Sequence, residues 1–138
     1  MIFEGVEVPC HKQVLAAASP VFAALVDNQH LEAIKSKANI QLSEEVGRAF
    51  VRFMYTGELE IDMLQMHAVA FLELDDKYDI QHLKILAEGE MLRQLDKKNM
   101  VEFFSIGEHF RANRILEAAL KLTKANMTWL RSQVNKDI

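Results

Sequence analysis

Apolar positions change their spacing several times along this chain, and each change predicts an element. Residues 2–8 alternate around Glu4-Gly5, the pattern of two short strands joined by a tight turn. From His11 the period becomes helical: Val14, Leu15 and Ala18, then Phe22, Leu25 and Val26, fall on either side of Ser19-Pro20. Two short helices are expected to meet there. A serine hydroxyl accepts from the first free amides of a helix, and a proline at the first helical position lacks only an N–H that has no helical partner. Residues 27–39 are polar and mixed in charge, a surface connection, and residues 40–42 alternate as a short strand. Ser43 followed by Glu44 and Glu45 starts the next helix, whose apolar stripe is Val46, Phe50, Phe53 and Met54. Gly57 ends it, and Leu59 with Ile61 predict one more short strand.

After Asp62 the pattern is helical throughout. Apolar faces run through Val69, Leu72 and Leu74, then Leu83, Leu86, Met91 and Leu95. Asp96 is a candidate cap for a helix bearing Met100, Val101, Phe103, Phe104 and Ile106. Asn113 is a candidate cap for another bearing Ile115, Leu116, Ala119 and Leu122, so the chain ends in a helical hairpin. No Gly/Ser linker and no fixed-period repeat divides it. The expected fold class is α/β, mainly helical: a small sheet from residues 2–8, 40–42 and 59–61, capped by helices. Phe22, Phe50, Phe53 and Leu83 are expected in the core, because apolar stripes at helical period usually face inward.

Composition narrows the function classes. The chain is half hydrophobic and 26% charged, which suits an ordinary globular domain. The formal net charge of -4 and pI near 5.7 argue against nucleic acid, since phosphate binding needs a basic surface and the longest basic cluster is Lys97-Lys98. No apolar run approaches a membrane span, and Met1-Ile2-Phe3 meets Glu4 too early for a signal peptide. The single cysteine, Cys10, has no thiol to pair with and fits a reducing compartment, so the nucleus or cytoplasm is the expected location.

The chemistry of a small enzyme is not visible. The glycines lie far apart, so no loop can cradle a phosphate. Cys10 and His11 are adjacent, and adjacent side chains on a strand point opposite ways. His11, His30, His67, His82 and His109 are scattered singly and do not make a metal set. Glu44-Glu45 and Asp75-Asp76 are neighbours in sequence, which do not converge on one substrate atom. No catalytic, cofactor or metal residues are expected, and binding is the leading class. A site invisible at this level would leave a small enzyme as a rival.

Three ordered stretches carry a resemblance. Val8-Pro9-Cys10-His11-Lys12-Gln13-Val14-Leu15-Ala16-Ala17-Ala18-Ser19-Pro20-Val21-Phe22 is similar to the BTB/POZ signature, hydrophobic-x-x-His-Arg/Lys-x-x-Leu-Ala-Ala-x-Ser-x-Val/Tyr-Phe. Phe50-Val51-Arg52-Phe53-Met54-Tyr55-Thr56-Gly57 resembles that family's helix end in Tyr-Thr-Gly. Leu74-Asp75-Asp76-Lys77-Tyr78-Asp79-Ile80-Gln81-His82-Leu83-Lys84 resembles its Ala-Asp-Lys-Tyr-x-hydrophobic-x-x-Leu-Lys. The likeness covers residues 1–92, a BTB/POZ domain. Residues 93–138 resemble the three-box or BACK-like helices that follow many such domains, with Asn99, Phe110 and Leu116 where that extension has them.

The branch it most resembles is that of the MATH-BTB (speckle-type POZ) and BTB-BACK proteins. That likeness implies a substrate adaptor that recruits a cullin three ubiquitin ligase, with substrate held by a domain outside this chain. Carried over residue by residue, the cullin contacts would be Leu31, Glu32, Ile34, Tyr78 and Asp79, bordered by Phe103 and Phe104. Leu31 and Tyr78 are the more exposed by pattern, and such anchors in a polar surround are what hot spots tend to be. The loop reads His30-Leu31-Glu32-Ala33-Ile34, with Ala33 where adaptor members tend to carry Glu. A homodimer is a further implied partner, although the dimerising helix and strand before the first motif are expected to be incomplete here. Lys12 is expected to be solvated. The alternative is a self-association scaffold in a transcriptional or cytoskeletal protein, without ligase recruitment.

Overall fold

The computed structural model describes residues 2–3, 6–7, 11–27, 39–40 and 43–136. The order is β1 (Ile2–Phe3), β2 (Val6–Glu7), α1 (Lys12–Ala18), α2 (Pro20–Asp27), β3 (Asn39–Ile40), α3 (Glu44–Thr56), α4 (Ile61–Tyr78), α5 (Gln81–Gln94), α6 (Met100–His109), α7 (Asn113–Ala125) and α8 (Met127–Lys136). The chain is mainly helical. Its elements fall into two units, Met1–Ala87 and Glu88–Ile138.

Among the described residues of the first unit, strand pairing joins three two-residue segments in the order β2-β1-β3. Ile2 and Phe3 pair antiparallel with Glu7 and Val6, and parallel with Asn39 and Ile40. The small sheet expected over residues 2–8, 40–42 and 59–61 is not seen in that form. Glu4, Gly5, Val8 and residues 41–42 lie outside the described residues. The strand expected over 59–61 is corrected outright: Ile61 is the first residue of α4 and is 70% exposed. Two apolar residues at period two satisfy a strand pattern, but a strand also needs a neighbour to accept its backbone groups.

The helix boundaries follow from local chemistry. Ser19 Oγ accepts the Phe22 N–H at 3.4 Å, and Pro20 opens α2. Ser43 Oγ accepts the Val46 N–H at 3.2 Å, with Glu44 and Glu45 in the first turn of α3. Gly57 closes α3 at φ 74°, its N–H donating to the Phe53 carbonyl at 2.7 Å. The core of this unit holds Leu15, Phe22, Val46, Phe50, Phe53, Phe71, Leu72, Leu74, Tyr78 and Leu83, all buried. Phe22, Phe50, Phe53 and Leu83 are therefore where the helical stripe puts them. Val69 is not: it is 39% exposed, because the inward stripe of α4 after its non-helical residue His67 (φ -128°, ψ 26°) runs through Ala68, Phe71, Leu72, Asp75 and Tyr78.

In the second unit α6 and α7 pack closely. A Cβ on Gly107 would stand 2.9 Å from the Leu116 backbone nitrogen, so glycine is what lets the helices approach. Met91, Met100, Ile115 and Ala119 fill the interior. Neither expected cap here occupies the cap position itself. Asp96 Oδ1 accepts the N–H groups of Lys98 and Asn99 at 2.8 and 2.9 Å, so it organises the turn before α6 rather than the helix itself. Asn113 is the first residue inside α7, and the cap position is Ala112, which is wholly buried and makes no side-chain cap bond. The expected hairpin is followed by a further helix, α8, and Lys97 Nζ lies 5.2 Å from the ring centre of Trp129 on it.

Candidate partner-binding surface

The corner between α4 and α5 carries two of the residues that the resemblance assigns to a partner. It ends α4 with Asp79 in the left-handed region, φ 53°, the Asp79 N–H donating to the Asp75 carbonyl at 2.7 Å. Aspartate tolerates that conformation because its short side chain bonds locally. Here Gln81 Nε2 donates to Asp79 Oδ1 at 2.9 Å. Asp79 is exposed and stands at a fixed corner.

Tyr78, expected at the surface, is 0% exposed. Its ring stacks on Phe22 at 4.6 Å between centroids and 14° between planes, with Phe50 at 6.1 Å. The reason is helical period: Tyr78 lies four and seven residues after Leu74 and Phe71, which are both buried, so it shares their inward stripe despite four charged neighbours. Burial pushes its hydroxyl up to about 12. The backbone here is tied down as well, since the buried Ser19 hydroxyl donates to the Tyr78 carbonyl across 59 residues of sequence. Tyr78 is therefore a keystone of the first unit, not a surface anchor.

The remaining expected contacts divide three ways. Leu31, Glu32 and Ile34 lie outside the described residues. Phe103 is buried on α6 and Phe104 is half-buried beside it, both in the second unit. Lys12 is exposed, as expected. Sequence reading missed the pairing of His11 with Tyr55: the Tyr55 hydroxyl accepts the His11 N–H at 2.8 Å and lies 2.6 Å from Nδ1. The signal was that both residues sit inside matched motifs. His11, Ser19, Phe22, Tyr55, Gly57 and Tyr78 all make or permit such structural contacts, so what the motifs encode is the fold.

The first unit also has a shallow cavity of about 300 Å³ lined by Glu45, Arg48, Ala49, Arg52, Glu60 and Met63. Its arginines are engaged, Arg48 with Glu44 at 2.8 Å and Arg52 with Glu60 at 2.9 Å. Among the described residues no three His, Cys, Asp or Glu side chains gather to hold a metal ion. Among them, too, no helix is long and apolar enough to cross a membrane.

A family model for the BTB/POZ domain matches residues 1–95. The chain belongs to the BTB/POZ family. Curated relatives share the likeness. A BTB/POZ domain-containing protein of Arabidopsis thaliana is 31% identical over 121 residues, 87% of this chain and 49% of that protein. A second from the same plant is 28% identical over 126 residues, 90% of this chain and 45% of its own length. TD and POZ domain-containing protein 1 of Mus musculus is 31% identical over 123 residues, 87% of this chain and 33% of its own length. The chain thus spans half or less of these BTB/POZ relatives. A BTB/POZ domain is a protein–protein interaction module, and such domains commonly self-associate and bind other proteins.

Proposed function

We propose that this BTB/POZ chain is the adaptor part of a cullin three ubiquitin ligase, working in the nucleus or cytoplasm, with its substrate held by a domain outside the chain. The observation that carries the reading is the family match over residues 1–95, joined to the likeness of 87% of the chain to a TD and POZ protein. The cullin meets the segment bearing Leu31, Glu32 and Ile34, together with the exposed Asp79 at the α4–α5 corner. Leu31 is the anchor: an aliphatic side chain seated in an apolar pocket contributes ~1–3 kcal/mol. Glu32 and Asp79 tune the association rate, since rim charges act mainly on encounter.

The test is calorimetry of the full chain against a purified cullin three N-terminal domain. Leu31→Asp should weaken binding at least ~10-fold, the equivalent of ~1.4 kcal/mol, with circular dichroism unchanged. Tyr78 is unsuitable for such a test, because it supports the core. Unchanged affinity in folded Leu31→Asp moves the interface away from that loop. No binding by the parent chain transfers the reading to self-association, which sedimentation then measures directly.

A further inference from the structure

The third motif is similar to Ala-Asp-Lys-Tyr, yet the residue ahead of Asp76-Lys77-Tyr78 is Asp75, an acid in the place of a small apolar side chain. It is not pushed out to water. Asp75 is 4% exposed, between buried Leu74 and the Tyr78 corner. Its carboxylate accepts the Ile80 N–H, and the cation acting on it is Lys84, one turn into α5; Asp79 of the turn and Asp76 of its own helix add like charge. From the α1–α2 junction the polar group at this corner is the Ser19 hydroxyl, already donated to the Tyr78 carbonyl.

We propose that the α4–α5 corner is a proton-linked catch, closed while the buried Asp75 carboxyl carries its proton and reliant on the positive charge of Lys84 once that proton is lost. The inference stands apart from the choice of partner. Desolvation outweighs Lys84 and the Ile80 bond, and lifts the carboxyl from 3.8 to about 6. The folded chain therefore holds this proton more tightly than the unfolded chain does. Stability from this group is highest below 3.8 and is lost as pH climbs from there to about 6. Above that window the corner depends on Lys84, and neutralising that amine, by acetylation or by a partner's acid, loosens the first unit.

The experiment is urea unfolding of the full chain at pH 4.5 and 7.5 for the parent, Asp75→Asn and Lys84→Gln. Asparagine keeps an oxygen for the Ile80 N–H and removes the charge. Asp75→Asn should gain on the parent by on the order of 10-fold in unfolding constant between the two pH values. Lys84→Gln should lose more at pH 7.5 than at pH 4.5, and this difference should vanish in the Asp75→Asn background. Parallel stabilities of parent and Asp75→Asn across the range overturn the catch, as does a Lys84→Gln cost that is equal at both. Carbon-13 titration of the Asp75 carboxyl in the parent reads the same linkage without a variant. A midpoint near 6 supports the catch, and one near the ordinary aspartate value overturns it.

Discussion

Two helix corners among the described residues turn through a non-glycine residue of the same positive φ and are held by opposite means. Asp79 and Arg111 are the positive-φ residues other than glycine among the described residues, at 53° and 54°. Each is followed by a buried residue, Ile80 or Ala112. At the α4–α5 corner bulk and long-range bonds do the holding, through the stacked Tyr78 and Phe22 rings and the Ser19 hydroxyl on the Tyr78 carbonyl. At the α6–α7 corner smallness does it: Ala112 donates its N–H to the Gly107 carbonyl at 2.8 Å, and Gly107 lies against the Leu116 backbone. The first corner thus depends on residues far away in sequence, while the second is complete within one helical pair. Side-chain loss should damage the first and side-chain gain the second.

The largest effect that tests this contrast is Tyr78→Ala. Removing a wholly buried ring costs ~3–5 kcal/mol, and here it also leaves Phe22 and Phe50 without their stacking partner. Urea unfolding should show the first unit destabilised by that amount. Tyr78→Phe, which keeps the rings in contact, should cost ~1 kcal/mol at most. A loss below ~1 kcal/mol for the alanine variant would mean that the corner does not depend on bulk.

The same contrast explains what could be read in advance. Ser19, Ser43 and Gly57 mark helix ends through bonds made within a few residues, and the core positions Phe22, Phe50, Phe53 and Leu83 lie on stripes that counting reveals. Tyr78 lies on such a stripe too, but its neighbours Asp75, Asp76, Lys77 and Asp79 dress it as a surface residue. Only its spacing from Phe71 and Leu74 betrays its burial. The buried carboxylate of Asp75 and the pairing of His11 with Tyr55 across 44 residues depend on which elements meet, and no local pattern records that. The polar Asn113 reads as a cap, while the corner itself needs a methyl group that fits, at Ala112. The candidate partner residues come from the family resemblance rather than from any local pattern, and Phe103 among them is taken inward by its helix.

The middle-sized effect lies in the second corner, where a pair of glycines separates packing from backbone propensity. Gly107→Ala places a methyl 2.9 Å from the Leu116 nitrogen, a backbone atom that cannot swing aside. Overpacking of this kind costs ~1–3 kcal/mol. Gly89, in α5, has nothing within 4 Å of the same methyl, so Gly89→Ala should stabilise by ~0.5–1 kcal/mol through helix propensity. Thermal melts of both variants should therefore move in opposite directions. If both gain, the close approach of α6 and α7 is not what holds their corner.

The smallest effect compares the two turning residues themselves. An L-residue in the left-handed region is disfavoured by ~1–2 kcal/mol, less for aspartate, and glycine removes that cost while loosening the unfolded chain by ~0.5–1 kcal/mol. For Arg111→Gly the first effect is the larger, a gain of ~0.5 kcal/mol from the backbone. For Asp79→Gly the relief is smaller, and the Gln81 bond to Asp79 Oδ1 is lost as well, so stability should stay level or fall. Measured side by side in urea, Arg111→Gly should come out the more stable change. The reverse order would show that the Arg111 side chain contributes more to its corner than the Gln81 bond contributes to the first, and the two corners would then share more than a positive φ.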